Sequence, residues 1–284
     1  MIRKLLLLLL LTACGMSSYS VQYQKSDSLT VMKLFSQAKK EKFSTMAECT
    51  MFFATRLKGV PYVAKTLEGN RREQLVVNLR QLDCTTFVEN AVALSMAYMS
   101  GNADFSTFCK CLEKLRYKGG HCGSYADRLH YFTAWIDDNT RLGICREIQT
   151  PVPPFSGVQH VRVDYMTRHA DKYPMLYGNE ANMKGIAEME KSVSGKTCRY
   201  IPKAQLKNPE RLRTVVKNGD IIAIITSING LDTQHIGFAL WHKDGLHLLN
   251  ASSIHRKVVD EPMLLYTYLL KHKTMPGVRI VRLA

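Results

Sequence analysis

The run LDCTTFVEN, from Leu82 to Asn90, joins an extended approach to an apolar helix and puts Cys84 at the junction. The apolar residues after Thr85, from Phe87 to Leu94, recur at helical spacing and predict a core helix. First-turn N–H groups and the positive end of a helix dipole both stabilise a thiolate. The pattern therefore predicts a nucleophilic Cys84 that loses its proton more easily than a cysteine in mid-helix.

Two polar residues downstream complete a catalytic set. The run QHIGFALW has the pattern of a strand with His235 near its start, and LHLLNAS, after a turn, carries Asn250. Nucleophile, base and orienting amide are the parts of a cysteine hydrolase. His247 is an alternative orienter on the same predicted strand. It stands three residues from Asn250, however, and so faces the other side of the sheet.

The start of the chain predicts export. Residues 1–13 carry two basic residues and then the leucine run Leu5 to Leu11, which is the layout of a signal peptide and too short to span a membrane. Leu11-Thr12-Ala13-Cys14 resembles a bacterial lipobox, so we expect Cys14 to be lipidated. Plain secretion with a later cut is the alternative. Residues 14–28 are predicted to be a tether and 29–284 one domain on a membrane-anchored lipoprotein that faces the periplasm.

The composition limits the partners. The chain has 284 residues, 46% of them hydrophobic, and a formal charge of +15, which favours anionic surroundings such as cell-wall peptides or lipid head groups. The basic residues are scattered, without the aromatic interleaving of single-strand binders, so no nucleic-acid partner is expected. We expect a monomer.

Six cysteines remain after Cys14 and Cys84 are assigned. In an exported chain they can form one or more disulfides, for which the expected region is Cys109 or Cys111 with Cys122 or Cys145, although the sequence does not give the connectivity. The alternative is that most are buried small hydrophobes. Cys109, Cys111, His121 and Cys122 match no common zinc module, so no metal site is predicted.

Helices in the first part of the chain and strands in the last part predict an α+β fold. An antiparallel sheet would pack against the Cys84 helix. The predicted strands are Ile221 to Thr226, His235 to Trp241, Leu246 to Ala251, Lys257 to Asp260 and Val278 to Leu283, with Arg199 to Ile201 extended. The other predicted helices are Thr30 to Lys40, Thr45 to Leu57, Phe105 to Arg116, Tyr125 to Asp138, Asn182 to Val193, Pro209 to Val216 and Met263 to Lys273.

Several short motifs carry a family resemblance when taken together. Gly-x-Pro-Tyr at 59–62, Asp83-Cys84, Gly219-Asp220 before a strand, His-x-Gly at 235–237 and Asn250-Ala-Ser resemble the NlpC-type papain-like cysteine hydrolases of bacterial cell walls. The Cys-Thr-Thr-Phe-Val-Glu-Asn run and the Arg-x-His-Tyr run at 128–131 are similar to the N-acetylmuramoyl-L-alanine amidase-like branch, once a domain of unknown function. The similarity extends over nearly the whole chain after the tether.

The resemblance implies a papain-like core and hydrolysis of the amide between N-acetylmuramic acid and L-alanine. The implied substrates are small muropeptides, notably the 1,6-anhydro kind, in peptidoglycan turnover or recycling. By position, Cys84 would be the nucleophile, His235 the base and then acid, and Asn250 the orienter. No cofactor or metal is implied. Substrate contacts are expected from Tyr62, Asp83, Arg128, His130 and Tyr131.

Two other functions stay open. The endopeptidase branch, which would cut between D-Glu and the diamino acid of stem peptides, usually has Asp-Cys-Ser-Gly, where this chain has Asp-Cys-Thr-Thr. That change agrees with amidase chemistry, because an amidase substrate has no free amine at L-alanine. The retained Asp83 keeps the endopeptidase possible. A non-catalytic lipoprotein that binds wall fragments is the third candidate.

Overall fold

The computed structural model describes residues 21–284. The predicted signal peptide and the lipidation site Cys14 lie outside the described residues. Strand β1 (Val21–Gln22) runs parallel to β2 (Leu75–Val76), and helix α1 (Lys25–Ala38) begins before residue 29. The predicted tether is therefore wrong for residues 21–28, which belong to the folded domain.

Asp27 explains why these residues are ordered. Its side chain is fully buried, accepts hydrogen bonds from the Gln24 and Leu79 amides at 2.9 and 3.0 Å, and pairs with Arg80 at 3.1 Å. One carboxylate thus caps α1 and also joins this helix to Leu79 and Arg80, more than 50 residues further along the chain.

The sequence locates most of the helices correctly. The remaining ones are α2 (Met46–Arg56), α3 (Cys84–Met99), α4 (Phe105–Arg116), α5 (Phe132–Arg141), α6 (Tyr165–Arg168), α7 (Glu180–Val193), α8 (Pro209–Val215) and α9 (Leu265–Leu270). No helix among residues 21–284 is long and apolar enough to cross a membrane.

The predicted helix Tyr125 to Asp138 is wrong in its first half. Residues 125–127 form one short 3-10 turn, and the chain is extended before α5 starts at Phe132. Leu129 donates its amide to the Arg116 carbonyl at 2.9 Å, and Arg128 forms a bridge with Tyr117. These long-range hydrogen bonds use the backbone groups that a helix would need. They therefore prevent the helix that the spacing of apolar residues predicts for this segment.

An eight-stranded sheet forms the other half of the fold, and all its pairs are antiparallel. Its order is β4-β5-β10-β6-β7-β8-β9, and β3 also pairs with β10. The α+β class is confirmed, but β3 and β4 were not predicted and come before α7. The strands are β3 (Cys145–Ile148), β4 (Gly157–His160), β5 (Thr197–Pro202), β6 (Ile221–Ile225), β7 (Thr233–Trp241), β8 (Leu246–Ser252), β9 (Lys257–Asp260) and β10 (Gly277–Leu283).

Helix α3 lies at the centre of the domain. It packs on β7 and β8 on one side and on α2 and α4 on the other, and residues from Thr86 to Leu94 are all buried. A helix covered on every side needs apolar residues all round. Phe87 meets Phe238 edge to face at 5.6 Å. This contact holds the start of α3 against β7, the strand that carries His235.

The sheet is covered on both faces, which explains the unbroken apolar run of β6. Ile221 and Ala223 join the large core with α3, whereas Ile222 and Ile224 join a smaller core with α8 and α9. Period-2 alternation sends successive side chains to opposite faces.

The disulfide prediction is wrong for the part of the chain that the structure describes. All seven cysteines between residues 21 and 284 are free, and four of them are buried. Cys109 and Cys145 sit in the large core. These cysteines act as small hydrophobes, which was the alternative interpretation.

Candidate active site

Cys84 is the first residue of α3, and Asp83 caps the helix before it. Asp83 Oδ1 accepts from the Thr86 amide and hydroxyl, both at 2.8 Å, and the Asp83 amide donates to the Thr86 hydroxyl at 2.9 Å. This reciprocal cap fixes where the helix starts. It also gives the Asp83 carboxylate a structural task, besides the substrate contact predicted for it.

His235 and Asn250 form the second part of the site, on neighbouring strands. The ring Nε2 of His235 lies 2.9 Å from Asn250 Oδ1, and the Asn250 side chain is fully buried. Asn250 Nδ2 donates to the Leu248 carbonyl at 3.3 Å, which leaves Oδ1 for the ring. Since Oδ1 can only accept, Nε2 carries the ring proton and Nδ1 holds the lone pair of a base.

Gly237 explains the glycine of the His-x-Gly motif. A Cβ at this position would lie 2.9 Å from Asn250 Cβ and 2.7 Å from the Leu249 carbonyl oxygen. Both distances are too short for a side chain. The glycine thus lets β8 bring Asn250 close to the β7 histidine.

A small cleft of about 100 Å³ joins these residues, and we call it the Cys84 cleft. Its walls come from the start of α3, the start of α5 and the start of β7. The Cys84 thiol also contacts the backbone of Ile236. The cleft is lined, among others, by Cys84, Thr85, His130, Phe132, Asp232 and His235.

The surroundings of Cys84 favour the protonated thiol over the thiolate. Burial, and after it the charge of Asp83, raise the pKa of the thiol to about 11, against smaller opposing effects of the Ile236 backbone and Thr85. The expectation that Cys84 loses its proton readily is therefore wrong, because burial outweighs the helix start. In the resting site the thiol is neutral.

His235 is held neutral as well. Burial lowers the pKa of its imidazole, and the nearby His272 lowers it further, while the Asn250 hydrogen bond and Asp83 act in the opposite direction. A neutral imidazole with its lone pair on Nδ1 can accept a proton from a thiol that attacks. The arrangement suits proton transfer during attack rather than a preformed ion pair.

Tyr62 borders the same site. Its backbone forms a bridge with Leu82, two residues before Cys84. Burial, followed by the charges of Cys84 and Asp83, raises the pKa of the Tyr62 phenol to about 12. The hydroxyl is thus a neutral donor close to the thiol, and its contact to substrate stays a prediction.

Arg128 is committed to contacts within the protein. It pairs with Glu68 at 2.5 Å and Glu73 at 2.6 Å, donates to the Leu67 carbonyl at 3.3 Å, and lies over the Tyr125 ring. We call Arg128, Glu68, Glu73 and Tyr125 the Arg128 network. These contacts favour a structural role over the predicted substrate contact.

Tyr131 and His130 differ in whether their hydrogen-bonding groups are available to a ligand in the cleft. Tyr131 also lines the cleft, but its hydroxyl donates to Glu190 at 2.6 Å and accepts from the Met166 amide at 3.0 Å, so the hydroxyl belongs to a buried network. His130 lines the cleft and donates from Nε2 to the Tyr125 carbonyl at 2.8 Å. Burial, then Arg128, lower the pKa of His130 to about 3. It is a neutral acceptor through Nδ1.

Residues near the reacting groups also include some that the sequence did not suggest. His272, in the turn after α9, is close enough to His235 to lower the pKa of its imidazole. Tyr268 is close enough to Cys84 for a thiolate there to raise the pKa of the Tyr268 phenol. Asp232 lies in the cleft wall, where its carboxylate accepts from the Thr133 amide at 2.6 Å. No motif surrounds these three residues, and only tertiary packing brings them to the site.

The alternatives weighed for other residues are decided by contacts. His247 bonds to the Glu261 carbonyl at 2.8 Å and to Asp244, and not to His235, so it is not the orienter. In the described residues, the potential metal ligands that lie close together are His242, His247 and Asp260, and not Cys109, Cys111, His121 and Cys122. That group lies at the far end of the β7–β8 hairpin.

Comparison with known proteins gives consistent similarities. The family model described as N-acetylmuramoyl-L-alanine amidase-like matches residues 52–275. No curated protein matches significantly. Among solved structures, an N-acetylmuramoyl-L-alanine amidase from Bacteroides uniformis is similar, with a TM-score of 0.78 and 33% identity over 84% of this chain and 99% of that one.

Two further structures extend the comparison. A Bacteroides fragilis protein that was proposed to be a xylanase has a TM-score of 0.75 and 37% identity, over 81% of this chain and 98% of its own. A Legionella pneumophila protein is 23% identical with a TM-score of 0.67, over 91% of this chain and 94% of its own, and shows likeness of fold alone.

Proposed function

Because this chain belongs to the N-acetylmuramoyl-L-alanine amidase-like family, we propose that it is a cysteine amidase that removes L-alanyl peptides from N-acetylmuramic acid. The family match and the similar Bacteroides uniformis amidase structure together support a hydrolase of peptidoglycan-derived material. The observation that carries the finer proposal is the Cys84 cleft, which is lined by a thiol from α3 and by an imidazole of defined tautomer from β7. We propose the papain-like arrangement for this core.

The chemistry follows from the protonation states. As Cys84 Sγ bonds to the lactyl carbonyl carbon, its proton passes to His235 Nδ1. The carbonyl oxygen becomes negative, and the Cys84 amide and the Tyr62 hydroxyl are donors near that position. The C–N bond breaks as His235 returns the proton to the leaving L-alanine nitrogen. Water, deprotonated by His235, then hydrolyses the thioester and frees the sugar carboxylate.

Asn250 is proposed to hold the imidazole in the tautomer this sequence needs. Its oxygen accepts the Nε2 proton at 2.9 Å, and the transient imidazolium keeps that bond. A neutral amide orients the ring without raising the pKa of His235 as strongly as a carboxylate would. His235 therefore stays a base at neutral and mildly acidic pH.

The carboxylates near the cleft argue against two other reactions. A glycosidase needs a pair of carboxyl groups on either side of the bond it cuts. Here Asp83 caps α3 through Oδ1, and Asp232 accepts from the Thr133 amide. The same cap on Asp83 weakens the endopeptidase, where this residue would receive the free amine of the stem peptide.

The preferred substrate and the site of action extend the proposal. We propose small muropeptides, including the 1,6-anhydro form made in wall turnover, as substrates for a monomeric enzyme. We also propose that lipid on Cys14 anchors the domain to a membrane facing the periplasm. Labelling of the expressed protein with a radioactive fatty acid, and its loss in Cys14→Ser, would test the anchor.

Product analysis by mass spectrometry tests the reaction itself. The protein and its Cys84→Ala variant are mixed with anhydro-N-acetylmuramoyl-tripeptide and, separately, with free tripeptide. Release of intact tripeptide by the wild type alone supports the amidase. Release of L-Ala-D-Glu from free tripeptide would establish the endopeptidase, and no product from either would favour the non-catalytic binding protein.

A further inference from the structure

A second cluster of chemically active side chains lies at the far end of the β7–β8 hairpin. Seven residues of extended chain separate its first histidine from His235, which is roughly 20 Å. We call it the hairpin cluster. It consists of His242 and Asp244 in the hairpin turn, His247 on β8 and Asp260 on β9.

The spacing of the cluster fits one metal ion. Ligand atoms of His242, His247 and Asp260 all lie within 4.8 Å of one another. His242 Nε2 is 3.1 Å from Asp260 Oδ1, and His247 Nε2 is 3.1 Å from Asp244 Oδ1. Two ligands of a tetrahedral zinc ion with bonds near 2.0–2.1 Å stand about 3.3 Å apart.

The protonation of His247 adds an independent observation. Its ring is 5% exposed, and Nδ1 lies 2.8 Å from the Glu261 carbonyl, which can only accept. Nδ1 therefore carries the proton, and in the neutral ring Nε2 presents a lone pair. That lone pair faces both oxygens of Asp244, at 3.1 and 3.2 Å.

Such an arrangement is unfavourable unless a positive charge lies between the two groups. A bound cation would supply it. Metal-ligating histidines commonly donate their other ring nitrogen to a backbone carbonyl, as His247 does to Glu261. The donor set of two imidazoles and the Asp260 carboxylate suits zinc, whereas calcium and magnesium prefer oxygen ligands alone.

We propose that the hairpin cluster is a structural site for a zinc-class divalent ion. The ion would join the β7–β8 turn to the edge strand β9 through ligands on both sides of β8. Asp244, which lies beside His247 Nε2, would be the fourth ligand, and an ion with four protein ligands has no position left for substrate. The site is separate from the Cys84 cleft, and the proposal does not depend on the amidase activity.

Titration calorimetry with zinc chloride tests the site. The protein carries Cys84→Ala, so that zinc bound by the thiol and His235 does not contribute, and it has no histidine tag. We expect one zinc ion per chain with a dissociation constant in the micromolar range or tighter. His242→Gln and Asp244→Asn, both at exposed side chains, should weaken binding at least about tenfold.

His160→Gln is the matched control, because His160 is an exposed histidine on β4, at the other edge of the sheet. It should bind zinc as the parent does. Zinc should also raise the melting temperature of the parent and of the control, and not that of His242→Gln. Absence of binding at about 1 mM zinc, or equal binding by His242→Gln and His160→Gln, would overturn the proposal and leave two ion pairs in its place.

Discussion

The Cys84 cleft and the Arg128 network both contain polar side chains with little exposure to solvent, and they differ in how completely those side chains are hydrogen-bonded. Arg128 has carboxylates or a carbonyl on all three of its nitrogens. In the cleft, His235 and His130 each have one ring nitrogen held and the other left as an acceptor. The contrast suggests that a reactive site is recognised by the lone pairs and protons that its neighbours leave unused.

The first way to break this comparison is to remove the thiol. We expect Cys84→Ala to lower kcat by a factor of about 10⁴ or more, because the nucleophile acts as a unit with its base. Cys122→Ala is the matched control, since Cys122 is also a half-buried free cysteine that does not line the cleft. It should keep its activity. Equal loss in both variants would show damage to the fold instead.

The second test removes the charge that holds the Arg128 network together. Arg128→Met leaves Glu68 and Glu73 without their partner in a buried site and should lower the free energy of unfolding by about 3–5 kcal/mol. Urea denaturation measures this change. The kcat of the folded protein should change far less than in Cys84→Ala.

The exposed ion pair between Arg168 and Asp164 supplies the control for that test. Its atoms are 3.6 Å apart and both side chains are more than half exposed. Arg168→Met should change the free energy of unfolding by about 0–1 kcal/mol. If Arg128→Met instead keeps its stability and loses substrate affinity, Arg128 binds substrate after all.

The third test changes the partner of His235. Asn250→Ala should lower kcat by about 10–100-fold, since the ring loses its orientation and not its chemistry. Asn250→Asp keeps an accepting oxygen and adds a negative charge, which raises the pKa of His235. Activity needs the neutral imidazole, so it falls as the pH drops through this pKa.

The pH–rate profile distinguishes these outcomes. In the wild type, the acid limb of kcat/KM should lie below pH 6.5, because burial lowers the pKa of His235. In Asn250→Asp this limb should move to higher pH. An unchanged limb in the Asp variant would mean that Asn250 does not act through His235.

The smallest expected effect concerns the resting thiol. Asp83→Asn keeps a good helix cap but removes a charge that raises the pKa of Cys84, so alkylation of Cys84 by iodoacetamide at pH 7 should be several-fold faster. Asp104→Asn changes the equivalent cap of α4 and should leave that rate alone. A slower rate in Asp83→Asn would show that the cap matters more than the charge.

The sequence was sufficient for the parts of the molecule that depend on local pattern. Apolar periodicity located α3 and the β6 to β10 strands, except for end residues. Short motifs singled out Cys84, His235 and Asn250; in the structure Cys84 and His235 line one cleft and His235 bonds to Asn250, while their catalytic roles stay a prediction. The strands β3 and β4 were missed because each has four residues and depends on a partner far along the chain.

The roles of single polar residues could not be obtained in this way. Arg128 and Tyr131 stand in the same short run as His130, yet Glu68, Glu73 and Glu190 decide their orientation. The pKa of Cys84 was misjudged for a related reason. The helix start is visible in the sequence, whereas the burial that raises the pKa to about 11 arises only when α3 packs on β7.

Inactivation by iodoacetamide tests the central claim, that Cys84 is the attacking group, most directly. Intact-protein and peptide mass spectrometry would follow labelling of Cys84 while amidase activity is assayed in the same samples. The account predicts that activity falls in proportion to the fraction of Cys84 labelled, and that substrate slows both. Full labelling of Cys84 with activity retained would contradict it.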